Sequence, residues 1–390
     1  MKTVKSESTL PNNSKTSVKM GTAIVLTNGL LDTSDAKTAH GLIRGTERFD
    51  VLAIIDFKFA GHDAGETLDG IKRNIPIFPS VNDYIEATGT KPDYAVIGVA
   101  LTGGKLDEAW KRLLLNIIGQ GISIINGLHM LLSDDPAFTD AAKTNQMEII
   151  DIRRPKPFDQ LNFWTGKIFE LKIPRLAVLG TDCAIGKRTT GRLIIETCQK
   201  EGISSEMIYT GQTGWLLGIR HGLIFDATLN DFVSGELEAA IVECEQISSP
   251  DLIVIEGQSG LRNPSGPCGS EFILSANIKG VILQHAPFLT LSGNSDQFSF
   301  VRADLEGEIK LIEMYGSKVL AITLNGQGGS AEDLVQYAKN IQEKIGIPVI
   351  RPMEEGISAL LPIIREFMLN HDQYPSTTQL IPDLNQKLKN

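Results

Sequence analysis

The stretch Arg175–Thr190 reads RLAVLGTDCAIGKRTT, and the fold turns on how it is read. Leu176–Leu179 are apolar without interruption, which predicts a buried strand ended by Gly180. After a short loop, Gly186-Lys187-Arg188-Thr189-Thr190 opens a run carrying Leu193, Ile194, Ile195 and Cys198, the spacing of a helix. Strand, glycine-bounded loop, lysine, threonine and helix is the layout of a phosphate-binding loop. In such a loop the backbone N–H groups and the helix N-terminus converge on phosphate oxygens, and the lysine adds a point charge. Gly180, Thr181, Asp182, Gly186, Lys187, Arg188 and Thr189 are therefore the expected contacts to a phosphate-bearing cofactor. Two features depart from the usual pattern of Gly, four residues, Gly-Lys-Ser/Thr. Five residues separate Gly180 from Gly186, and Arg188 stands where the metal-binding hydroxyl normally follows the lysine, with Thr189 one place late. The loop is expected to bind a phosphate chain, while these departures weaken the case for tight Mg-ATP chemistry.

Upstream, Ala23–Thr27, Val51–Asp56, Ile75–Pro79, Asp93–Val99, Ile122–Asn126 and Met147–Ile152 read as strands. Helical patterns lie between them, at Thr38–Arg44, after a Ser80 cap with Asp83 in its first turn, and at Leu106–Gly119. Apolar strands alternating with helices predict an α/β fold, a parallel sheet covered on both faces. Asp56, at the end of the second strand, is where a dinucleotide fold places its ribose ligand. The first turn, TNGLLDTSDAKTAHG over residues 27–41, has no G-x-G-x-x-G, so the expectation is an α/β scaffold without a dinucleotide. Arg153-Arg154-Pro155-Lys156-Pro157 marks a boundary, because two prolines in three positions stop regular structure. The expected organisation is a disordered polar tail over 1–20, a Rossmann-like parallel-sheet domain over 21–155, a P-loop NTPase-like parallel-sheet domain over 156–372, and a C-terminal tail over 373–390.

Beyond the phosphate loop, Ser205–Thr210, Leu252–Ile255, Gly280–Gln284, Val319–Leu324 and Ile347–Ile350 read as further strands. Most of them run into polar, often glycine-rich residues, and in open α/β sheets ligands bind beyond the C-terminal ends of strands. This collects Gln212, Thr213, Asp231, Glu256, Ser259, His285 and Asn325 around the loop. Glu256 follows four apolar residues, the layout of a Walker B acid; it either holds a metal-bound water, acts as a general base, or caps the next turn. Asp231 either holds a cation, orients a nucleophile, or is the N-cap of a helix starting near Val233. His285 is an acid/base candidate at neutral pH or a structural histidine. Arg188 and Arg262 suit bidentate pairing with a substrate carboxylate. The expected catalytic set is Glu256, His285 and Asp231, and the expected substrate contacts are Gln212, Thr213, Ser259, Arg262 and Asn325. Trp215 is read as packing, and His221, Cys183 and Cys198 as structural, Cys183 lying inside the loop.

The composition narrows the partners. The chain has 390 residues, 42% apolar content and a net charge of −10, which suits two or three globular domains and argues against a nucleic-acid partner. No apolar run reaches the ~18 residues of a membrane span. The polar N-terminus lacks the apolar core of a secretory signal. Four scattered cysteines fit a reducing cytosol and neither a zinc site nor a disulfide frame, so no metal site is expected. The expectation is a cytoplasmic protein acting on a small molecule, with a homo-oligomer left open.

Several segments carry family likenesses. The strand, IPIFPSV and PDYAVIGV order resembles, in pattern, the CoA-binding domain of succinyl-CoA ligase-type proteins. GTDCAIGK (180–187) resembles the GTD-x-x-x-GK loop of dethiobiotin synthetase and its relatives, EGQSG (256–260) their EGAGG-type acid loop, and Leu324-Asn325-Gly326 their strand-end asparagine. A fuller resemblance is to a two-domain family long catalogued as a domain of unknown function, with an N-terminal Rossmann-like and a C-terminal P-loop domain. It rests on GTDCAIGKRTT, GQTGW (211–215), DFVSGELE (231–238), IEGQSGL (255–261) and QHAP (284–287), and covers nearly the whole chain after the tail. Some members are D-glutamate N-acetyltransferases. The resemblance implies acetyl-CoA as cosubstrate, its phosphates held by the loop with the extra arginine, and an acidic amino acid as acceptor. It also implies Glu256 or His285 as base, Arg188 or Arg262 on the acceptor carboxylate, and backbone N–H groups on the oxyanion. The dethiobiotin synthetase likeness implies the alternative, an ATP/Mg-dependent ligase or kinase with Thr189 and Asp231 near the metal. A third reading is a non-catalytic nucleotide- or CoA-sensing protein.

Overall fold

The computed structural model describes residues 19–101, 104, 106–264, 266–289 and 304–374. The expected tails over 1–20 and 373–390 lie outside these residues apart from their inner ends. The chain divides into two compact units, one holding the residues up to Arg154 together with Trp215–Gly218, the other Pro155–Gly214 and the residues from Ile219 onward. Among the described residues no helix is long and apolar enough to cross a membrane.

The first unit is built on six strands, β1 (Gly21–Leu26), β2 (Phe49–Ile55), β3 (Ile77–Phe78), β4 (Tyr94–Ile97), β5 (Ser123–Asn126) and β6 (Ile149–Asp151). All pairs are parallel and the order is β3-β2-β1-β4-β5-β6, the Rossmann arrangement. The third strand is shorter than its apolar pattern suggests, because Pro76 and Pro79 flank it and neither can donate to a ladder. Short polar residues start the helices as expected. Ser80 accepts from the Asp83 N–H at 3.2 Å, and Asp107 from the Trp110 N–H at 2.8 Å.

Asp56 is fully buried just past β2 and is consumed by the adjoining turn. One carboxylate oxygen accepts from Thr27 Oγ1 (2.6 Å) and from the N–H groups of Gly29 (2.9 Å) and Leu31 (3.2 Å), the other from the Lys58 N–H (3.0 Å). The acid organises the β1 turn instead of presenting itself to a ribose.

The second unit has seven strands: β7 (Arg175–Gly180), β8 (Ser205–Tyr209), β9 (His221–Gly222), β10 (Leu252–Glu256), β11 (Gly280–His285), β12 (Lys318–Leu324) and β13 (Val349–Ile350). They form one parallel sheet in the order β13-β12-β11-β7-β10-β8-β9. Every residue of β7 is buried, which accounts for its unbroken apolar run. Alternate residues feed opposite layers. Ala177, Leu179, Ile253 and Ile255 pack in one core with Leu237 and Ile241 of the helix Asn230–Ser248. Leu176, Val178 and Val254 pack in the other with Ile194 and Cys198 of Lys187–Lys200 and Phe367 of Leu360–Asn370.

The segment after the proline-rich boundary is tied to this unit. Two buried glutamates of Asn230–Ser248 hold it: Glu236 takes Lys156 Nζ (2.5 Å) and the Asn162 N–H (2.8 Å), and Glu238 the N–H groups of Thr165 (2.6 Å) and Ile168 (3.1 Å). That helix starts three residues earlier than the expected Val233. Leu229 is its N-cap residue, so the N-cap reading of Asp231 is corrected: Asp231 sits inside the first turn, exposed, where a carboxylate suits the helix dipole.

Candidate phosphate-binding and catalytic site

The site of the second unit starts from the central position of β7. It lies between β10 and β11, with Glu256 in register with Val178 and Gln284 with Gly180. Three strand ends therefore converge on the loop Thr181–Gly186. Ala184 (φ 54°) and Gly186 (φ 107°) take left-handed conformations that turn the chain into the helix Lys187–Lys200. No side chain caps that helix at Gly186, the arrangement in which its first N–H groups serve an anion.

Lys187 opens the helix and is buried. Its Nζ donates to the carbonyl oxygens of Asp182 (2.5 Å) and Ser259 (2.8 Å), so the ammonium ties the phosphate loop to the loop after β10. Burial pulls its pKa down to about 8. The two loops also meet at the backbone. A Cβ at Gly260 would lie 2.8 Å from the Gly180 oxygen, and one at Gly257 would lie 2.5 Å from the Val178 oxygen. This is why EGQSG carries glycine at both places.

Glu256 is 5% exposed, and its Oε2 is buried without a hydrogen-bond partner. Its Oε1 lies 3.7 Å from Arg188 Nη1. Burial raises the carboxyl above the usual carboxylate range, and the Arg188 charge opposes that shift. The GQTG segment stands over it: a Cβ on Gly214 would reach Glu256 Oε2 at 3.4 Å. Gln212 and Thr213, both buried, begin the short helix Gln212–Leu216. Thr210 Oγ1 donates to the Glu256 carbonyl (2.8 Å) and accepts from Gln258 Nε2 (2.9 Å), which locks the ends of β8 and β10 together.

The remaining expected residues divide by position. Asp182 uses one carboxylate oxygen to accept from the Cys183 N–H (2.6 Å) and Asn263 Nδ2 (2.7 Å), so it shapes the loop. His285 ends β11 with both ring nitrogens engaged, Nδ1 with Thr181 Oγ1 (2.9 Å) and Nε2 with the Tyr337 hydroxyl (3.0 Å). Asn325 Nδ2 donates to the Ile185 carbonyl (3.0 Å) and steadies the same loop from β12. Ser259 holds a left-handed backbone (φ 39°) and accepts at Oγ from the Cys183 thiol (3.3 Å). Arg262 points its Nε at Glu308 (2.7 Å) and its terminal nitrogens at Asp304 (3.2 Å). Thr189 is half-buried, while Thr190 turns inward to Gln284.

Sequence reasoning missed a buried polar hub beneath the loop. Gln284 Oε1 accepts from Thr190 Oγ1 and Thr323 Oγ1, both at 2.6 Å. The signal was a polar residue inside an otherwise apolar strand: Gln284 in GVILQ and Thr323 in VLAITL. Asn263 and Tyr337 were missed as well, and neither has any local mark.

Comparisons with known proteins follow this geometry. Residues 162–361 match the family model described as Domain of unknown function (DUF1611_C) P-loop domain, and residues 57–155 match Domain of unknown function (DUF1611_N) Rossmann-like domain. A curated D-glutamate N-acetyltransferase from Tritonibacter scottomollicae is 27% identical over 306 residues, 77% of this chain and 89% of the relative. Another of the same name from a Pseudoalteromonas species is 26% identical over 271 residues, 68% of this chain and 79% of the relative. The crystal structure of a DUF1611 family protein from Anabaena variabilis superposes with a TM-score of 0.79 at 26% identity, covering 88% of this chain and 99% of that one.

Proposed function

This chain belongs to the DUF1611 family, and on that premise we propose that it is an N-acetyltransferase moving acetyl from acetyl-CoA to the amine of an acidic amino acid, D-glutamate foremost. The relatives' names support this reading. The observation that carries it is Glu256, buried beside a phosphate loop with one oxygen unpartnered.

The residues fit the cosubstrate. The loop Gly180–Thr189, with Lys187 and Arg188, suits the diphosphate of CoA, and glycine at 180 and 260 lets Lys187 and the loop after β10 pack against it, since a Cβ at Gly180 would lie 2.9 Å from the Lys187 side chain. When bound, acetyl-CoA supplies an acyl carbon activated by a thiol leaving group. Glu256 takes the proton released as the amine nitrogen bonds to that carbon; the carbon–sulfur bond breaks, and the thiol leaves carrying a proton from solvent. A carboxyl held above its ordinary range is suited to this task, because a general base works best when its pKa approaches the operating pH. Arg188 Nη1 stands 3.7 Å from Glu256 Oε1 and serves the diphosphate side of the loop in this scheme, whereas Arg262 is engaged by Asp304 and Glu308. His285 steadies Thr181 and, through it, the loop.

The test is thiol release from acetyl-CoA with D-glutamate, L-glutamate or no acceptor. Release that requires D-glutamate is the expected result. No release with any amino-acid acceptor would overturn the reading, and Mg²⁺-dependent ADP formation from ATP by the same preparation would replace it with a ligase or kinase.

A further inference from the structure

In metal-dependent phosphate loops a hydroxyl after the lysine and an acid on a neighbouring strand hold a divalent cation between them, and that cation bridges the phosphates. In this chain each of those places is filled differently. The residue after Lys187 is an arginine. Thr190 is 2% exposed and its hydroxyl turns away from the loop to donate to Gln284, which also takes Thr323, while Thr189, one place past the usual position, is half-buried. One oxygen of Asp182 is spent on Cys183 and Asn263. The acid of the neighbouring strand, Glu256, already has a cation beside it, since Arg188 Nη1 stands 3.7 Å from Oε1. Its other oxygen is buried and unpartnered, an acceptor left for a donor group of a ligand.

We propose that Arg188 takes the place of the divalent cation, bridging Glu256 on one side and the diphosphate of the bound ligand on the other, so that the loop binds a diphosphate without a metal. The inference rests on the phosphate-loop part of the function proposed above and not on the acetyl transfer. A guanidinium suits the role: it is always charged, and its planar set of donors can serve a carboxylate and a phosphate at once. Arg188 lies in the first turn of the helix whose N-terminus closes the loop.

The experiment is calorimetric titration of the full chain with CoA and, separately, with ADP, each in EDTA and in Mg²⁺. The expected result for the unaltered chain is a dissociation constant that differs less than about twofold between the two conditions. Arg188→Ser is expected to weaken binding in EDTA by about tenfold or more, the scale of one lost charge-assisted contact, while Arg188→Lys retains part of it. In a double-mutant cycle with Glu256→Gln the two substitutions are expected to be non-additive, because the bridge links them. Binding that disappears in EDTA and returns with Mg²⁺ would overturn the proposal, and so would an Arg188→Ser chain that binds as well as the unaltered one in EDTA. Metal-free binding with no acetyl transfer to any amine would overturn the reaction proposed above and leave this inference standing.

Discussion

Glu256 and Lys187 face each other's loops at the buried mouth of the site, and their ionisation runs in opposite directions. Glu256 must lose its proton to act as base, and burial holds that event above the usual carboxylate range. Lys187 must keep its proton to hold an anion, and burial brings its loss down to about pH 8. The profile of kcat/KM against pH is therefore expected to be a bell, with an acid limb above the ordinary range of ~4.3 for a glutamate and an alkaline limb near pH 8. A flat profile through pH 9 would remove Lys187 from binding. Glu256→Gln is expected to lower kcat by about 10²-fold or more, the range for a lost general base, and to lower turnover more than the affinity for CoA. Unchanged turnover would take Glu256 out of the mechanism. Lys187→Ala is expected to abolish detectable CoA binding by calorimetry.

The elements around the site depend on close backbone approach as much as on side chains. Gly257→Ala would drive a Cβ to 2.5 Å from the Val178 oxygen on the neighbouring strand. The strain is expected to cost about 1–3 kcal/mol, a drop of several degrees in Tm by scanning calorimetry, together with weaker CoA binding because the loop after β10 carries the Ser259 carbonyl that holds Lys187. A variant with unchanged Tm would mean that the strands part more easily than their packing suggests. Much at this scale was legible. An apolar run, a glycine and a lysine placed β7, its loop and the following helix, because each constraint acts within a few residues. The Gln284 hub was not, since Thr190, Gln284 and Thr323 are brought together only by the neighbouring of β11, β12 and the loop helix. Nothing local to Thr190 distinguishes it from Thr189, yet Thr190 is buried on the Gln284 hub and Thr189 is only half-buried.

For the whole molecule, the described residues form two parallel sheets. The first has the strand order of a dinucleotide fold, but Asp56 is spent on Thr27, Gly29, Leu31 and Lys58. CoA is accordingly expected to raise the Tm and NAD to leave it unchanged. At a hundredfold excess over its Kd a ligand adds about 2.7 kcal/mol, which corresponds to roughly 5–10 °C at 2–4 °C per kcal/mol for a unit of this size. A rise with NAD comparable to that with CoA would mean that the Rossmann sheet binds dinucleotides despite its occupied acid.

By itself the sequence determined the α/β class, the proline-marked change of unit, the phosphate loop and the acid facing it, because strand periodicity, glycine spacing and the lysine each express a local physical requirement. Only the tertiary structure decided which polar residues find hydrogen-bond partners within the scaffold and which do not. Along the chain Asp56, Asp182 and His285 are strand-end and loop polar residues open to either a ligand or a scaffold role, and folding brings each of them hydrogen-bond partners. Glu256 looks no different from them along the chain and keeps a buried oxygen without a partner. That difference is a matter of which donors folding brings within 3 Å, and those donors come from residues far away in the sequence.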